Sequence, residues 1–166
     1  PDRIALNSND TAAALVSSAS RRLQLWRGLR LNPTPAAAID LPEAAGGITA
    51  LAVTRDARHV LFTTPDGLYL AAADADDSAA RLLARFESAA AIALLNDDRD
   101  VIVADAATNQ LTLVRDFASS ADLFALAGER DGVSNPVGLA VSSDGRWLFV
   151  ANAGSRSLDV LDLATL

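Results

Sequence analysis

Polar side chains that could bind a ligand lie in short segments that connect runs of apolar residues. Some of these segments follow an apolar run such as Val101 to Ala104, and others come just before an apolar triplet such as Leu139 to Val141. Loops held on a rigid scaffold are where binding residues usually lie. We expect a polar rim of mixed charge, and its candidate ligand-binding residues are Arg21, Arg22, Arg130, Asp105, Asn109, Asn135, Asn152 and Arg156.

A metal site is a weaker hypothesis for the same segments. Glu43, Glu87 and Asn135 each stand just ahead of an apolar triplet and could direct oxygens towards a hard cation such as Ca²⁺, which takes six to eight oxygen ligands. Glutamates in loops are mostly solvated, and this simpler interpretation is favoured for Glu43 and Glu87. The acidic runs Asp97 to Asp100 and Asp74 to Asp77 lack the register of a calcium-binding loop. We therefore expect no cofactor, with Ca²⁺ kept as the alternative.

Groups that usually carry catalysis are scarce in this chain. His59 is the single histidine, and it opens an apolar run away from the rim, so we expect no catalysis from it. There are no cysteines, which excludes thiol redox chemistry and cysteine-ligated metals. The sequence contains neither a Gly-x-Ser-x-Gly elbow nor a glycine-rich phosphate loop, so neither elbow-type hydrolysis nor nucleotide binding has support.

Charge and hydropathy narrow the possible partners. The formal net charge is -7, and all 14 basic residues are arginines, so a nucleic-acid partner is not expected. No apolar run approaches the roughly 18 to 20 residues of a membrane span. The chain begins at Pro1 and has no methionine, from which we expect a processed or trimmed polypeptide whose targeting signal lies elsewhere.

The chain repeats itself four times. The segments that begin at Ile4, Leu51, Ile92 and Leu139 align without a gap over fifteen residues, and spacings of 47, 41 and 47 residues separate them. Each opens on a triplet with alanine between two branched apolar residues, continues through a polar turn, and enters a second apolar run. Such a pair of short runs around a turn predicts a β-hairpin. A third run follows in every repeat, and a fourth run follows in the first three only, at residues 38–41, 82–86 and 123–126.

Four short strands per repeat of about 40 to 47 residues are typical of the blades of a β-propeller. The predicted fold is therefore all-β: a β-propeller segment of four four-stranded blades, the last of which lacks its outer strand. We treat residues 1–166 as one segment with blades at about 1–47, 48–88, 89–134 and 135–166. The alanine-rich stretch Ser88 to Leu95 allows a helix as a disfavoured alternative.

One known family resembles the fourth repeat. Phe149-Val-Ala-Asn152 stands where the bacterial β-propeller repeat family named for its Tyr-Val-Thr-Asn signature (YVTN-type) has that signature, and Asn135-Pro136 ahead of Gly138-Leu139-Ala140 is similar to NHL-like repeats. The signature position holds Ala14 to Ser17, Leu61 to Thr64 and Ile102 to Asp105 in the other repeats, which match less well. The resemblance implies a ring of six to eight blades, and it implies a bacterial, extracytoplasmic protein, either periplasmic or secreted.

Two functions follow from these observations. The favoured one is a non-catalytic binding or scaffold module that contacts a protein or small ligand through loops on one face. The alternative, implied by the resemblance, is a fragment of a propeller lactonase or other metal-assisted hydrolase, for which Glu43, Glu87, Asn135, Asp105 and Asn152 stand at plausible positions. We also expect the apolar faces of the first and last blades to be covered by further blades, by a second copy of the chain, or by a tight closure of the four blades on each other.

Overall fold

A computed structural model describes residues 2–17, 21–42, 47–74, 80–95 and 97–166. Within these residues the regular structure is β-strand, apart from one short 3-10 helix at Glu129–Asp131. The first two sheets contain β1 (Arg3–Leu6), β2 (Ala12–Ser17), β3 (Arg22–Arg27), β4 (Thr34–Asp40), β5 (Ala50–Val53), β6 (His59–Thr64), β7 (Gly67–Ala72) and β8 (Arg81–Arg85). The last two contain β9 (Ala89–Leu94), β10 (Val101–Asp105), β11 (Gln110–Arg115), β12 (Asp122–Ala127), β13 (Pro136–Val141), β14 (Trp147–Asn152) and β15 (Ser157–Asp162).

The strands form four antiparallel sheets in which chain order and spatial order agree. The orders are β1-β2-β3-β4, β5-β6-β7-β8, β9-β10-β11-β12 and β13-β14-β15, and we call these sheets blades 1 to 4. Strands β1, β5, β9 and β13 lie beside one another and line the centre of the array. The prediction of four blades, the last with three strands, is confirmed.

The turn between the first two strands shares one backbone hydrogen bond in every blade, from the N–H of its fourth residue to the carbonyl oxygen of its first. Its fourth residue is Asp10, Ala57, Asp98 or Gly145, and all four have positive φ, between 54 and 74°. Glycine adopts this left-handed conformation freely and aspartate tolerates it, whereas alanine is strained there. The polar turns that separate the first two apolar runs in the sequence are therefore hairpin turns of one type.

Successive blades pack through alternate residues of their strands. We call the side of a blade that meets the following blade its forward face, and the side that meets the preceding blade its rear face. Ala14, Val16, Leu23 and Leu25 on the forward face of blade 1 pack with a set from the rear face of blade 2 that includes Phe62. Equivalent clusters join blades 2 and 3 and blades 3 and 4, so the core is three repeats of one interface.

Two sequence-based assignments are resolved by the strands. The stretch Ser88 to Leu95 contains β9, so the helical alternative is wrong, and the alternation of buried and half-buried residues along β9 shows why alanine serves there. The fourth strand of blade 1 spans Thr34–Asp40, whereas the apolar pattern placed it at residues 38–41. Pro35 is tolerated because β4 is an edge strand, and its exposed residues carry little apolar pattern.

Candidate ligand-binding rim

The predicted rim residues of blades 3 and 4 lie at one end of their sheets. In blade 3 the end of β10, the start of β11 and the start of β9 meet, with Asp105 paired to both Gln110 and Ala89. In blade 4 the same end brings Asn152 next to Pro136 and Ser157. The loops between the second and third strands and those that lead into a new blade therefore share one face, which we call the rim face.

Asp105 is the most highly coordinated of these side chains. It is buried, and its Oδ2 accepts a hydrogen bond from the backbone N–H of Glu87 at 2.9 Å. Its Oδ1 accepts from the backbone N–H groups of Ser88, Ala107 and Thr108 at 3.1, 3.0 and 3.4 Å. A carboxylate bound to several N–H groups is a strong acceptor. Asp105 therefore ties the loop that enters blade 3 to the loop between β10 and β11.

Asn152 holds the corresponding place in blade 4. Its Oδ1 accepts from the backbone N–H of Ser134 at 3.0 Å, and its Nδ2 donates to Oδ2 of Asp159 at 2.7 Å. A further link crosses between the blades, because Oδ1 of Asn109 accepts from the backbone N–H of Asn135 at 2.6 Å. These amides are engaged with the protein itself, and they order the loops of the rim face.

The four rim arginines are all exposed. Arg21 donates from Nη2 to the carbonyl oxygen of Pro42 at 2.9 Å, and Nε of Arg22 lies 2.8 Å from a carboxylate oxygen of Asp40. Arg130 lies in the 3-10 helix, and Arg156 has positive φ in the hairpin between β14 and β15. The charged groups thus stand at the outside of the rim, while the buried carboxylate and amide lie beneath it.

A groove opens on the rim face between blades 2 and 3. It has a volume of about 460 Å³, and it brings together two predicted residues, Glu87 and Asp105. Its other walls come from the end of β8, the loop at Thr108 and the outer strand β12. Leu123 of β12 is 52% exposed, which is high for a large apolar side chain. The groove therefore offers apolar surface beside polar and charged groups.

A second cavity lies at the opposite end of the same two blades and was not predicted. Its volume is about 530 Å³, and its lining includes His59, Asp56 and the turn Asp97 to Arg99. The imidazole of His59 packs edge-on against Phe117, with the ring centroids 6.1 Å apart. The sequence argument correctly placed His59 away from the rim. It missed the cavity because the loop at Phe117 comes from a different blade, and nothing in either turn predicts their approach.

Local hydrogen bonds set the electrostatics of that cavity. Partial burial opposes ionisation of Asp56, but hydrogen bonds from the backbone N–H of Arg58 and the hydroxyl of Thr54 outweigh it and lower the pKa of Asp56 below 3.8. Arg99 forms an ion pair with Asp116, which raises the pKa of its guanidinium. Asp56 and Arg99 are therefore charged near neutral pH, and both are partly satisfied by contacts within the protein.

The described residues do not bring together a group of side chains that would support the metal hypothesis. Glu87 is exposed beside the groove, and Asn135 is exposed where β13 begins. Glu43 lies outside the described residues. Among the residues described, no three histidines or carboxylates stand close enough together to share a metal ion. In the same part of the chain, no helix has the length and hydropathy that a membrane crossing would need.

Comparisons with known proteins agree with this architecture. No protein-family model matches the sequence, and no curated protein sequence matches it either. The fold is similar to a chain in the crystal structure of a nidogen/laminin complex, with a TM-score of 0.72 and 14% identity over 98% of this chain. It is also similar to a chain of Kuenenia stuttgartiensis hydrazine synthase, with a TM-score of 0.70 and 14% identity over 98% of this chain.

Both neighbours are β-propeller proteins, so the chain has a β-propeller fold. It spans 59% of the first neighbour and 46% of the second. At 14% identity, the similarity to these structures shows the fold alone, and function has to be argued from the site.

Proposed function

We propose that this chain is a non-catalytic binding or scaffold module whose rim face contacts a protein or small ligand. The observation that carries the proposal is the carboxylate of Asp105, which orders two loops around the groove between blades 2 and 3. Loops fixed in this way need no further ordering when a partner binds, which lowers the cost of association. The groove then presents the exposed side chain of Leu123 to that partner.

The chemistry of the groove favours a ligand with an apolar group next to polar ones. Leu123 supplies apolar surface, while Glu87 and Arg85 stand at the same groove with opposite charges. A peptide with an aliphatic or aromatic side chain has this character.

The signature position supports the YVTN-type, NHL-like assignment as part of the proposal. Ser17, Thr64, Asp105 and Asn152 end the second strand of blades 1 to 4, and all are polar. In blades 3 and 4 this residue accepts hydrogen bonds from the backbone ahead of the first strand of its own blade. The polar residue at this place therefore has a structural role in blades 3 and 4, as a repeat signature would. A bacterial, extracytoplasmic location is proposed with this assignment.

Peptide selection tests the proposal directly. Peptides selected from a displayed library on the wild-type chain are remeasured against Leu123→Asp and against Leu31→Asp, a control at an apolar residue that is 96% exposed and lies outside the groove. We expect at least a tenfold loss of affinity in the groove variant, because its apolar contact is replaced by a charge, and no loss in the control. Equal affinity for all three proteins would exclude the groove as the binding site.

Turnover tests the catalytic alternative separately. The wild-type chain is assayed for lactone hydrolysis with Ca²⁺ or Mn²⁺ present, alongside Glu87→Ala. We expect no metal-dependent turnover. Hydrolysis that Glu87→Ala abolishes would overturn the non-catalytic proposal and favour the hydrolase.

A further inference from the structure

The outer strands of blades 1 to 3 are sheet edges, and β12 differs from the other two. Within the described residues, β4, β8 and β12 each pair with a strand on one side only. β4 carries Pro35, and β8 begins with Arg81 and ends with Arg85. Proline and charged residues on an edge strand hinder its pairing with another chain. β12 has neither a proline nor a basic residue, and its middle is Leu-Phe-Ala-Leu.

The backbone N–H of Leu123 points away from the sheet. Leu123 lies opposite Val114, the fifth residue of β11. In blade 1, Pro35 lies opposite Trp26, the fifth residue of β3. Proline has no N–H, so the backbone nitrogen at this position of blade 1 makes no bond to the third strand. The equivalent N–H in blade 3, that of Leu123, can therefore donate to an additional strand.

The side chains beside that N–H border the groove between blades 2 and 3. Val114 packs in the cluster that joins these blades, and directly opposite residues of antiparallel strands share a face, so Leu123 lies on the rear face of blade 3. Ala125 follows two residues later on the same face, and both residues line the groove. An antiparallel strand added to β12 would therefore place alternate side chains over the groove.

The two ends of β12 are acidic. Asp122 begins the strand, and the 3-10 helix Glu129–Asp131, with two acidic residues and one basic, follows its end. Arg115 lies opposite Asp122 in register, but its guanidinium stacks over the ring of Phe124. Among the described residues, neither Asp122 nor Glu129 forms an ion pair. A strand with a basic residue near each end complements this edge, whereas the arginines of β8 would repel it.

We propose that β12 pairs with an extended segment of a partner protein, in which apolar residues alternate with polar ones and a basic residue stands near each end. The segment adds an antiparallel fifth strand to blade 3, so that main-chain hydrogen bonds supply affinity and the side chains over the groove supply specificity. This inference rests on the proposed binding function, because it specifies the conformation and the charge of a ligand for the same groove.

A labelled synthetic peptide tests the pairing by fluorescence anisotropy. It has a lysine at each end and three threonines alternating with three valines between them, which spaces the lysines as Asp122 and Glu129 are spaced. When the valines lie over the groove in an antiparallel pair, their N–H groups face β12. We expect saturable binding to the wild type, and a loss of at least tenfold when the valines are N-methylated. N-methylation of the threonines, the matched control, should change the affinity less than twofold.

Two variants separate strand pairing from contact with the groove. Leu123→Pro removes both the outward N–H and the leucine side chain, whereas Leu123→Ala removes the side chain alone. We expect Leu123→Pro to lose at least tenfold more affinity than Leu123→Ala. A peptide with glutamates in place of both lysines should bind the wild type at least tenfold more weakly, because it meets like charges. The methylated peptides use the unchanged chain, so they test the pairing even if Leu123→Pro folds poorly.

The outcomes separate this inference from the proposed function. Equal effects of the two N-methylations would overturn strand pairing, as would equal losses in Leu123→Pro and Leu123→Ala. If Leu123→Asp still weakened the peptide in that case, the groove would bind it in another conformation and the proposed function would stand. Absence of binding to the wild type, or equal binding of the glutamate peptide, would also overturn the inference, while the library selection tests the proposed function independently.

Discussion

Blades 3 and 4 carry the same pattern in different surroundings. Leu111 and Leu158 both open the apolar part of the third strand, at equivalent positions, yet Leu111 is fully buried and Leu158 is 66% exposed. The alternation along a strand sets which way a side chain points. Whether the side chain is buried depends on the neighbouring blade. Equivalent residues of different repeats therefore contribute differently to the free energy of unfolding.

The largest difference in stability is expected when this leucine is replaced by alanine in each of the two blades. Leu111→Ala should destabilise the chain by about 3 kcal/mol, because it removes buried methyl groups and leaves a cavity between blades 3 and 4. Leu158→Ala should cost less than about 0.5 kcal/mol, since its side chain is mostly in water. Urea unfolding of both variants measures this difference. Equal losses would mean that blade 4 is covered in the isolated chain.

The repeat made most of the fold predictable from sequence. Alternation in short runs and turns at a constant offset specify each blade, because these are local properties of strands and hairpins. The outer strand β4 was placed late since an edge strand such as Thr34–Asp40 needs little apolar pattern. The packing of one blade on the next follows from the same periodicity.

The site was less predictable because it is formed by residues of different blades that come close together only in the folded chain. The sequence identified Asp105 as a rim residue. Its four backbone donors come from two different loops, and the sequence does not show that these loops lie close together in space. The apolar run of the outer strand β12 was predicted, but nothing in the sequence indicates that Leu123 stays exposed beside the groove. His59 and Phe117 similarly meet across a blade boundary.

The next largest difference in stability is expected at the polar residue that ends the second strand of the same two blades. Asp105→Ala should cost about 3 kcal/mol, because backbone N–H groups of Glu87, Ser88, Ala107 and Thr108 lose a charged acceptor. Asn152→Ala should cost about 1 kcal/mol, since a single backbone N–H loses its acceptor there. Urea midpoints measure both, and amide hydrogen exchange at Glu87 and Ser88 reports the freed loop. Asp105→Asn is the matched control and should fall between, because one oxygen remains while the amide N–H₂ faces donors.

This second comparison has a clear failure. If Asp105→Ala cost no more than Asn152→Ala, the loops of the rim face would be ordered by something other than this carboxylate. The proposed binding surface would then lose the feature that holds it in place.

The smallest effect concerns a turn whose chemistry should not depend on neighbouring blades. In blade 4 the hydroxyl of Ser142 donates to Oδ1 of Asp144 at 2.5 Å and the backbone N–H of Arg146 donates to the same oxygen at 3.1 Å, which together lower the pKa of Asp144 below 3.8. The equivalent Asp56 in blade 2 makes the same two contacts, and its pKa is lowered as well. The enclosed and the open blade therefore share this turn.

The pH dependence of stability tests that equivalence. A carboxylate whose pKa is lower in the folded chain than in the unfolded chain stabilises the fold when the pH is above the unfolded pKa of 3.8. This stabilisation disappears as the pH falls through the folded pKa. Asp144→Asn and Asp56→Asn should therefore each lower the urea midpoint slightly at pH 6, and the gap to the wild type should close towards pH 2.5. Asp122→Asn, at an exposed aspartate of an outer strand, serves as the comparison variant. A gap at pH 6 for Asp56→Asn alone would show that the turn needs an enclosing neighbour, and the difference between the blades would then extend from their apolar faces to their local hydrogen bonds.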